Sequence, residues 1–215
     1  MSLEQNTISQ EHESRQVQQV LQQEHRQGLL FVITGASGVG KGTVHNALLD
    51  LNISLHKSIS VTTRKPRPGE THGVEYYFYD VAEFESLLLE DKFLEHAHVY
   101  GNYYGTLKSA VLDNINLGKD TLLEIDLDGA KQIKALYKTA VWIFIVPPSF
   151  DALIERLDKR GTDDEATKLL RLSQYETEYK QGKSADYVVV NDNLEHCVDQ
   201  VVDIIKQKRA QQEKA

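Results

Sequence analysis

Residues Gly35 to Thr43 read Gly-Ala-Ser-Gly-Val-Gly-Lys-Gly-Thr. Glycines at this spacing let successive backbone N–H groups turn inward around an anion, and Lys41 adds a full positive charge. The run follows the apolar stretch Leu29–Thr34 and opens a helical pattern over Thr43–Leu51. Strand, glycine loop and helix in that order are the context a phosphate-binding loop requires. Gly35, Ala36, Ser37, Gly38, Val39, Gly40, Lys41, Gly42 and Thr43 are thus the expected cradle for nucleotide phosphates. Lys41 would reach the β and γ phosphates. Gly42 stands where such loops usually carry a serine or threonine, so the customary hydroxyl for Mg²⁺ is missing and Thr43 comes one residue late.

A second anion-binding segment lies at Ser60-Val-Thr-Thr-Arg-Lys-Pro-Arg-Pro-Gly-Glu70. Arg64 and Arg67 flank Pro66, and Pro68 follows, so the backbone beneath the two guanidiniums is stiffened. Planar forks held this way suit a terminal phosphate, which accepts two parallel bonds. Taken alone, the segment also fits a solvated basic turn. Tyrosines at 76, 77, 79, 103 and 104 offer hydroxyls that bond a phosphate without adding charge, or simply pack a small core.

The elements that must hold these groups alternate between buried strands and helices. Apolar runs at Leu29–Thr34, His56–Val61, Leu122–Ile125, Val141–Val146 and Tyr187–Asn191 read as strands. Helical patterns follow several of them, the last over Leu194–Arg209 with Leu194, Val198, Val201, Val202 and Ile205 on one face. This rhythm predicts an α/β fold with a parallel sheet flanked by helices. Two stretches break it. Residues 62–117 hold the arginine segment and most of the tyrosines and read as an inserted lobe. Residues 159–168 (KRGTDDEATK) are polar and turn-like and read as a mobile lid. Residues 1–27 carry almost no apolar side chains and read as a disordered tail or frayed helix, with a partner-binding helix as the alternative.

The 215 residues suffice for one well-filled domain, and a net charge of −8 argues against a general nucleic-acid or membrane-surface binder. A lone cysteine, Cys197, excludes an intrachain disulfide and a cysteine-based zinc site. No run is long enough to span a bilayer, and the N-terminal stretch lacks the apolar segment of a secretory signal. The expectation is a soluble cytoplasmic protein.

Seven blocks in order, GASGVGKG, SVTTRKPRPGE, HGVEYYF, FLEHAHVYGNYYGT, LLEIDLDGA, IERLDKRGT and YVVVN, give the chain from about Gly28 to its last helix a resemblance to guanylate kinases. The GKGT of the phosphate loop is similar to that of adenylate kinases. The resemblance implies a P-loop kinase core over 28–210 with an inserted monophosphate-binding lobe and a lid. It implies transfer of the γ-phosphoryl of ATP to GMP, giving ADP and GDP, with Mg²⁺ carried on ATP. Residue by residue, it implies that Arg64, Arg67, Tyr76 and Tyr104 grip the GMP phosphate, with Glu70 in support. Ser60, Glu95 and Thr106 would read guanine. Glu124 and Asp126 would form the acidic pair beside metal and substrate. Arg156, Arg160 and Arg171 would close on the transferring phosphoryl group. No direct protein ligand to the metal is expected, with Thr43 and Asp126 acting through water.

The chemistry agrees with the resemblance. Guanine presents N1–H and a 2-amino group as donors, which one carboxylate can accept together, and hydroxyls of Ser60 and Thr106 can donate to O6. Two other readings stay open: a kinase of the same fold acting on another phosphorylated substrate, and a non-catalytic binding module. ATP and GMP are the expected partners, without nucleic acid or membrane, and homo-oligomerisation is left open. Asp128 adds a negative charge near the phosphate site that the sequence does not explain.

Overall fold

The structure, a computed structural model, describes residues 26–99, 101–160 and 165–214, the Arg160 side chain excepted. The N-terminal tail read over residues 1–27 lies almost wholly outside these residues, and so does the centre of the lid read over 159–168.

Two sheets organise the described residues. The larger has five parallel strands in the order β2–β7–β1–β8–β9: β1 (Leu30–Gly35), β2 (Leu55–Lys57), β7 (Asp120–Glu124), β8 (Val141–Val146) and β9 (Tyr187–Val190). Strand β1 is central and buried throughout, so its alternating side chains feed two cores. Phe31 and Ile33 face one, with Val44 and Leu48 of α1 (Lys41–Asp50) and Val201 and Ile205 of α7 (Leu194–Gln212). Leu30 and Val32 face the other, with Val111 and Ile115 of α3 (Lys108–Asn116) and Ala130 and Ile133 of α4 (Leu127–Leu136). Helices thus cover both faces, which is why the central strands β1 and β8 read as unbroken apolar runs. Val198, Val201, Val202 and Ile205 are buried on α7 as expected, whereas Leu194, at its first turn, is 39% exposed.

The smaller sheet has four strands in the order β4–β3–β6–β5: β3 (Val61–Thr62), β4 (Tyr77–Phe78), β5 (Phe93–Val99) and β6 (Asn102–Leu107). Its own core stacks Phe84 of α2 (Val81–Leu89) between Phe93 and Tyr103, at ring-centre distances of 4.4 and 5.2 Å. Asp80 starts α2 with a reciprocal capping box to Glu83.

Three sequence expectations change. The strand expected over His56–Val61 is two strands in different sheets, because the chain crosses from one sheet to the other between Lys57 and Val61. Helix α3, read within the inserted lobe, packs Val111 and Ile115 into the core of the large sheet. Residues 159–160 complete α5 (Phe150–Arg160), and residues 165–168 begin α6 (Glu165–Gly182).

The open end of the large sheet is tied by Asp120, the first residue of β7 and only 3% exposed. Its Oδ1 accepts from the Arg26 guanidinium at 2.6 Å and from Leu29 N–H at 2.8 Å, and its Oδ2 accepts from Arg209 Nε at 2.6 Å. Arg209 also donates to the Ile53 carbonyl at 2.8 Å. One carboxylate therefore joins the segment before β1, the sheet and the last helix. Asp120→Ala is expected to destabilise by about 3 kcal/mol, at the low end for breaking a buried pair because both arginines can rehydrate. That corresponds to a melting temperature lower by about 10 °C, with activity retained below the transition. Thermal unfolding checks this, and a shift of under about 2 °C would show that the triad carries no net stability.

Candidate active site

The phosphate loop joins β1 to α1 at the C-terminal ends of the parallel strands, where open α/β sheets bind ligands. Its curvature depends on Gly38 and Gly40, with φ of 89° and 94°. A Cβ on Gly38 would come within 2.7 Å of Leu157, and one on Gly40 within 2.6 Å of Asn191 Nδ2. Lys41 is the first residue of α1, and its Nζ donates to the carbonyls of Gly35 at 2.5 Å and Ala36 at 3.2 Å. Gly42 sits beside Glu124, whose carboxylate would be 3.5 Å from an added Cβ.

Two cavities meet at this loop. One is lined by Ser37, Gly40, Lys41, Thr43, Glu124 and Arg156. The other is lined by Lys41, Ser60, Tyr76, Glu95, Tyr104 and Glu124, with Asp126 at its edge. Lys41 and Glu124 belong to both. Six of the residues expected from the sequence to hold the monophosphate, namely Ser60, Tyr76, Glu95, Tyr104, Glu124 and Asp126, thus surround one space.

Arg64 does not line the second cavity itself but lies 5.5 Å from the ring centre of Tyr76, which does, and 5.7 Å from that of Phe78. Its two terminal nitrogens form a fork on Glu70, each bond 2.9 Å long, and Glu70 also accepts from Arg67 N–H at 2.7 Å. The hydrogen bond from Arg64 holds the Glu70 carboxyl below the usual range. Glu70 therefore orients Arg64 and fixes the turn beneath Arg67, whose side chain is exposed. Tyr76 and Tyr104 meet edge-on at 6.0 Å, and burial, with Glu124 adding, pushes the Tyr76 hydroxyl up to about 12.

Glu95 is 3% exposed and Thr106 is fully buried. They are register partners across β5 and β6, and the Thr106 hydroxyl donates to Glu95 Oε1 at 2.5 Å. The Thr106 proton expected to reach guanine O6 is thus committed to Glu95 here, because the strand pairing sets the two side chains face to face. Burial raises the Glu95 carboxyl to about 7, opposed by the Thr106 hydrogen bond and aided by Asp126.

Arg171 of α6 donates to the Ser37 hydroxyl, bringing one expected lid arginine onto the phosphate loop. Arg156 donates to the carbonyls of Val39 at 3.1 Å and Asn191 at 2.7 Å, bracing the loop it lines. Arg160 closes α5, and its side chain lies outside the described residues. Asp128 accepts from Lys131 at 2.9 Å, and Lys131 also donates to Gln181 at 2.8 Å. That pairing accounts for the charge the sequence left unexplained.

Sequence reasoning missed two neighbours. Asn191, just after β9, donates to the Val39 carbonyl at 2.7 Å; a polar residue closing the apolar run Tyr187–Val190 was the available signal. Glu178 lies two turns beyond Arg171 on α6. Burial raises its carboxyl, Lys41 and Arg171 oppose that, and Asp126 adds to it, so it shares the electrostatic field of the phosphate site.

The guanylate kinase family model matches residues 27–208. The chain belongs to the guanylate kinase family. Guanylate kinase of Syntrophomonas wolfei is 46% identical over 185 residues, covering 86% of this chain and 95% of that protein. That of Carboxydothermus hydrogenoformans is 47% identical over 171 residues, covering 80% and 84%. The crystal structure of guanylate kinase from Anaplasma phagocytophilum aligns with a TM-score of 0.70 at 36% identity, covering 87% of each chain. A guanylate kinase of this fold is a P-loop phosphotransferase, and the parallel sheet flanked by helices is the architecture its sequence predicted.

Proposed function

We propose that this guanylate kinase transfers the γ-phosphoryl group of ATP to GMP, with ATP phosphates in the cavity at the phosphate loop and GMP in the cavity lined by Tyr76, Glu95 and Tyr104. The observation that carries this reading is that the two cavities share Lys41 and Glu124. A phosphoryl group passing from one nucleotide to the other crosses the space at the Lys41 ammonium, where its developing charge is stabilised.

Each side chain then has a task. Arg64, held by Glu70, and Arg67 receive the GMP phosphate together with the hydroxyls of Tyr76 and Tyr104. Glu95, oriented by Thr106, accepts N1–H and the 2-amino group of guanine, and Ser60 donates to O6. Arg171 bears on the transferred group from α6, Arg156 holds the loop, and Arg160 joins them from the resemblance alone. No covalent enzyme intermediate is needed; catalysis is alignment and charge stabilisation. Closure of the small sheet over both nucleotides excludes water, which would otherwise take the phosphoryl group.

The donor set also fits Mg²⁺ held through water. Glu124 and Asp126 offer carboxylate oxygens, yet Asp126 Oδ1 already accepts from Gly129 N–H at 2.9 Å and Gly42 adds no hydroxyl. Bound with ATP, the ion would neutralise charge on the β and γ phosphates. No helix of the described residues is long and apolar enough to cross a membrane.

A coupled assay for ADP release with GMP, AMP, UMP and CMP tests the reading. GMP is expected to lead AMP by about 10⁴-fold in kcat/KM. Equal use of several monophosphates would overturn the base assignment, and absence of ADP release with any of them would return the binding-module reading.

A further inference from the structure

We propose that helix α4 is the seat of the base reader: Gly129 leaves the space that the Glu95 carboxylate fills, Gln132 fixes the strand that carries it, and together they set how the protein tells guanine from purines without a 2-amino group. The inference rests on the reading of Glu95 as the guanine contact.

Glycine at 129 has no local reason. It lies inside α4 with ordinary helical backbone, where alanine is the better residue. Its reason is across the interface. A Cβ built on Gly129 would lie 2.3 Å from Glu95 Oε2 and 3.0 Å from Glu95 Cδ. Such contact cannot be relieved cheaply, because the carboxyl is buried and its other oxygen is held by Thr106 at 2.5 Å. An added methyl group would push the carboxylate towards the cavity that guanine is to occupy. The Gly129 N–H meanwhile donates to Asp126, so one residue braces two carboxylates that line the cavity.

Gln132 lies three residues further along the same helix face. Strand β5 is an edge strand, paired only with β6, so its outer backbone groups lack a neighbouring strand. The Gln132 side-chain amide supplies one. Its Oε1 accepts from His96 N–H at 3.1 Å, and its Nε2 donates to the His96 carbonyl at 2.8 Å. Both peptide planes beside His96 are thereby fixed, including the one it shares with Glu95. Gly129 and Gln132 are positioning residues that act through Glu95.

Two parallel bonds to guanine tolerate little displacement of the acceptor. A shifted carboxylate keeps at most one bond, which is all that IMP, having N1–H but no 2-amino group, ever offers. Gly129→Ala is therefore expected to raise KM for GMP about tenfold, narrow the GMP/IMP ratio of kcat/KM, leave KM for ATP unchanged and lower the melting temperature by a few degrees. Gln132→Leu is expected to act in the same direction. Glu95→Asp withdraws the carboxylate by one methylene, so in that background Gly129→Ala is expected to cost less than about twofold.

The measurements are steady-state kinetics with GMP, IMP and ATP for these variants and Glu95→Gln, with thermal unfolding of each. An unchanged GMP/IMP ratio in Gly129→Ala and Gln132→Leu overturns the inference, as does the same Gly129→Ala penalty with and without Glu95→Asp. A lowered melting temperature with an unchanged ratio also overturns it, since the glycine then serves packing alone. If Glu95→Gln itself leaves the ratios untouched, the base-reader assignment falls first; if it acts while Gly129→Ala does not, only the present inference falls.

Discussion

Lys41→Ala lowers kcat by about 10³-fold while the protein stays folded and still binds GMP, the loss expected when a preorganised charge is removed from the transferring group. The position of Lys41 argues that its charge serves chemistry rather than stability. It stands at the first residue of α1, where the helix dipole disfavours a cation by about 0.3–1 kcal/mol. Its bonds to the Gly35 and Ala36 carbonyls close a loop that opens onto a cavity, so water can replace the ammonium there. The stability lost is about 1 kcal/mol. KM for GMP is expected within about threefold of wild type, since the ammonium acts where the two nucleotides meet and not on the base. Steady-state kinetics and GMP titration check this. Retention of more than about a tenth of wild-type kcat would remove Lys41 from the transition state.

The phosphate loop was legible from the sequence because everything that shapes it is local: positive-φ glycines, a lysine at fixed spacing, and a strand and helix on either side. The parallel sheet was legible for a related reason. A strand covered on both faces reads as an unbroken apolar run, as Val141–Val146 does. The candidate base pocket was legible only through the resemblance. Glu95, Thr106 and Glu124 come from separate strands and Ser60 from the residue before β3, and no local pattern says that β5 and β6 pair Glu95 with Thr106. The same limit hid the division of His56–Val61 between two sheets, since alternation does not say which sheet a strand joins. It also hid the partners of Arg156. The guanidinium reaches Val39 and Asn191, 117 and 35 residues away along the chain. Gly129 is the sharpest case, because a glycine inside a helix reads as a local weakness until the carboxylate in its place is seen.

Glu95→Gln removes the choice of base. The substitution keeps the size of the side chain but replaces one acceptor oxygen with an amide donor. GMP then loses one bond and sets a donor against a donor in a site that is 3% exposed. An unpaired buried polar group plus that repulsion corresponds to a fall in kcat/KM for GMP of about 10²-fold or more. AMP suffers less, because adenine presents an unprotonated N1 and no 2-amino group, so the GMP/AMP ratio narrows. ATP binding is unaffected, since Glu95 belongs to the other cavity. The pH dependence should change with it. Burial raises the free Glu95 carboxyl to about 7, whereas both guanine donors require the ionised form. KM for GMP in the wild type is therefore expected to rise as pH falls below about 7, up to about tenfold per unit, and Glu95→Gln abolishes that slope. Stability runs the opposite way. A carboxyl whose folded pKa lies above its unfolded value favours the fold below the unfolded value and loses that contribution as pH rises through about 7. Above that pH the ligand-free variant is expected to melt no lower than the wild type. Kinetics with both monophosphates across pH, with ATP titration and melting curves, test all of this. A GMP/AMP ratio within about threefold of wild type, with the pH slope intact, would mean that the base is read elsewhere.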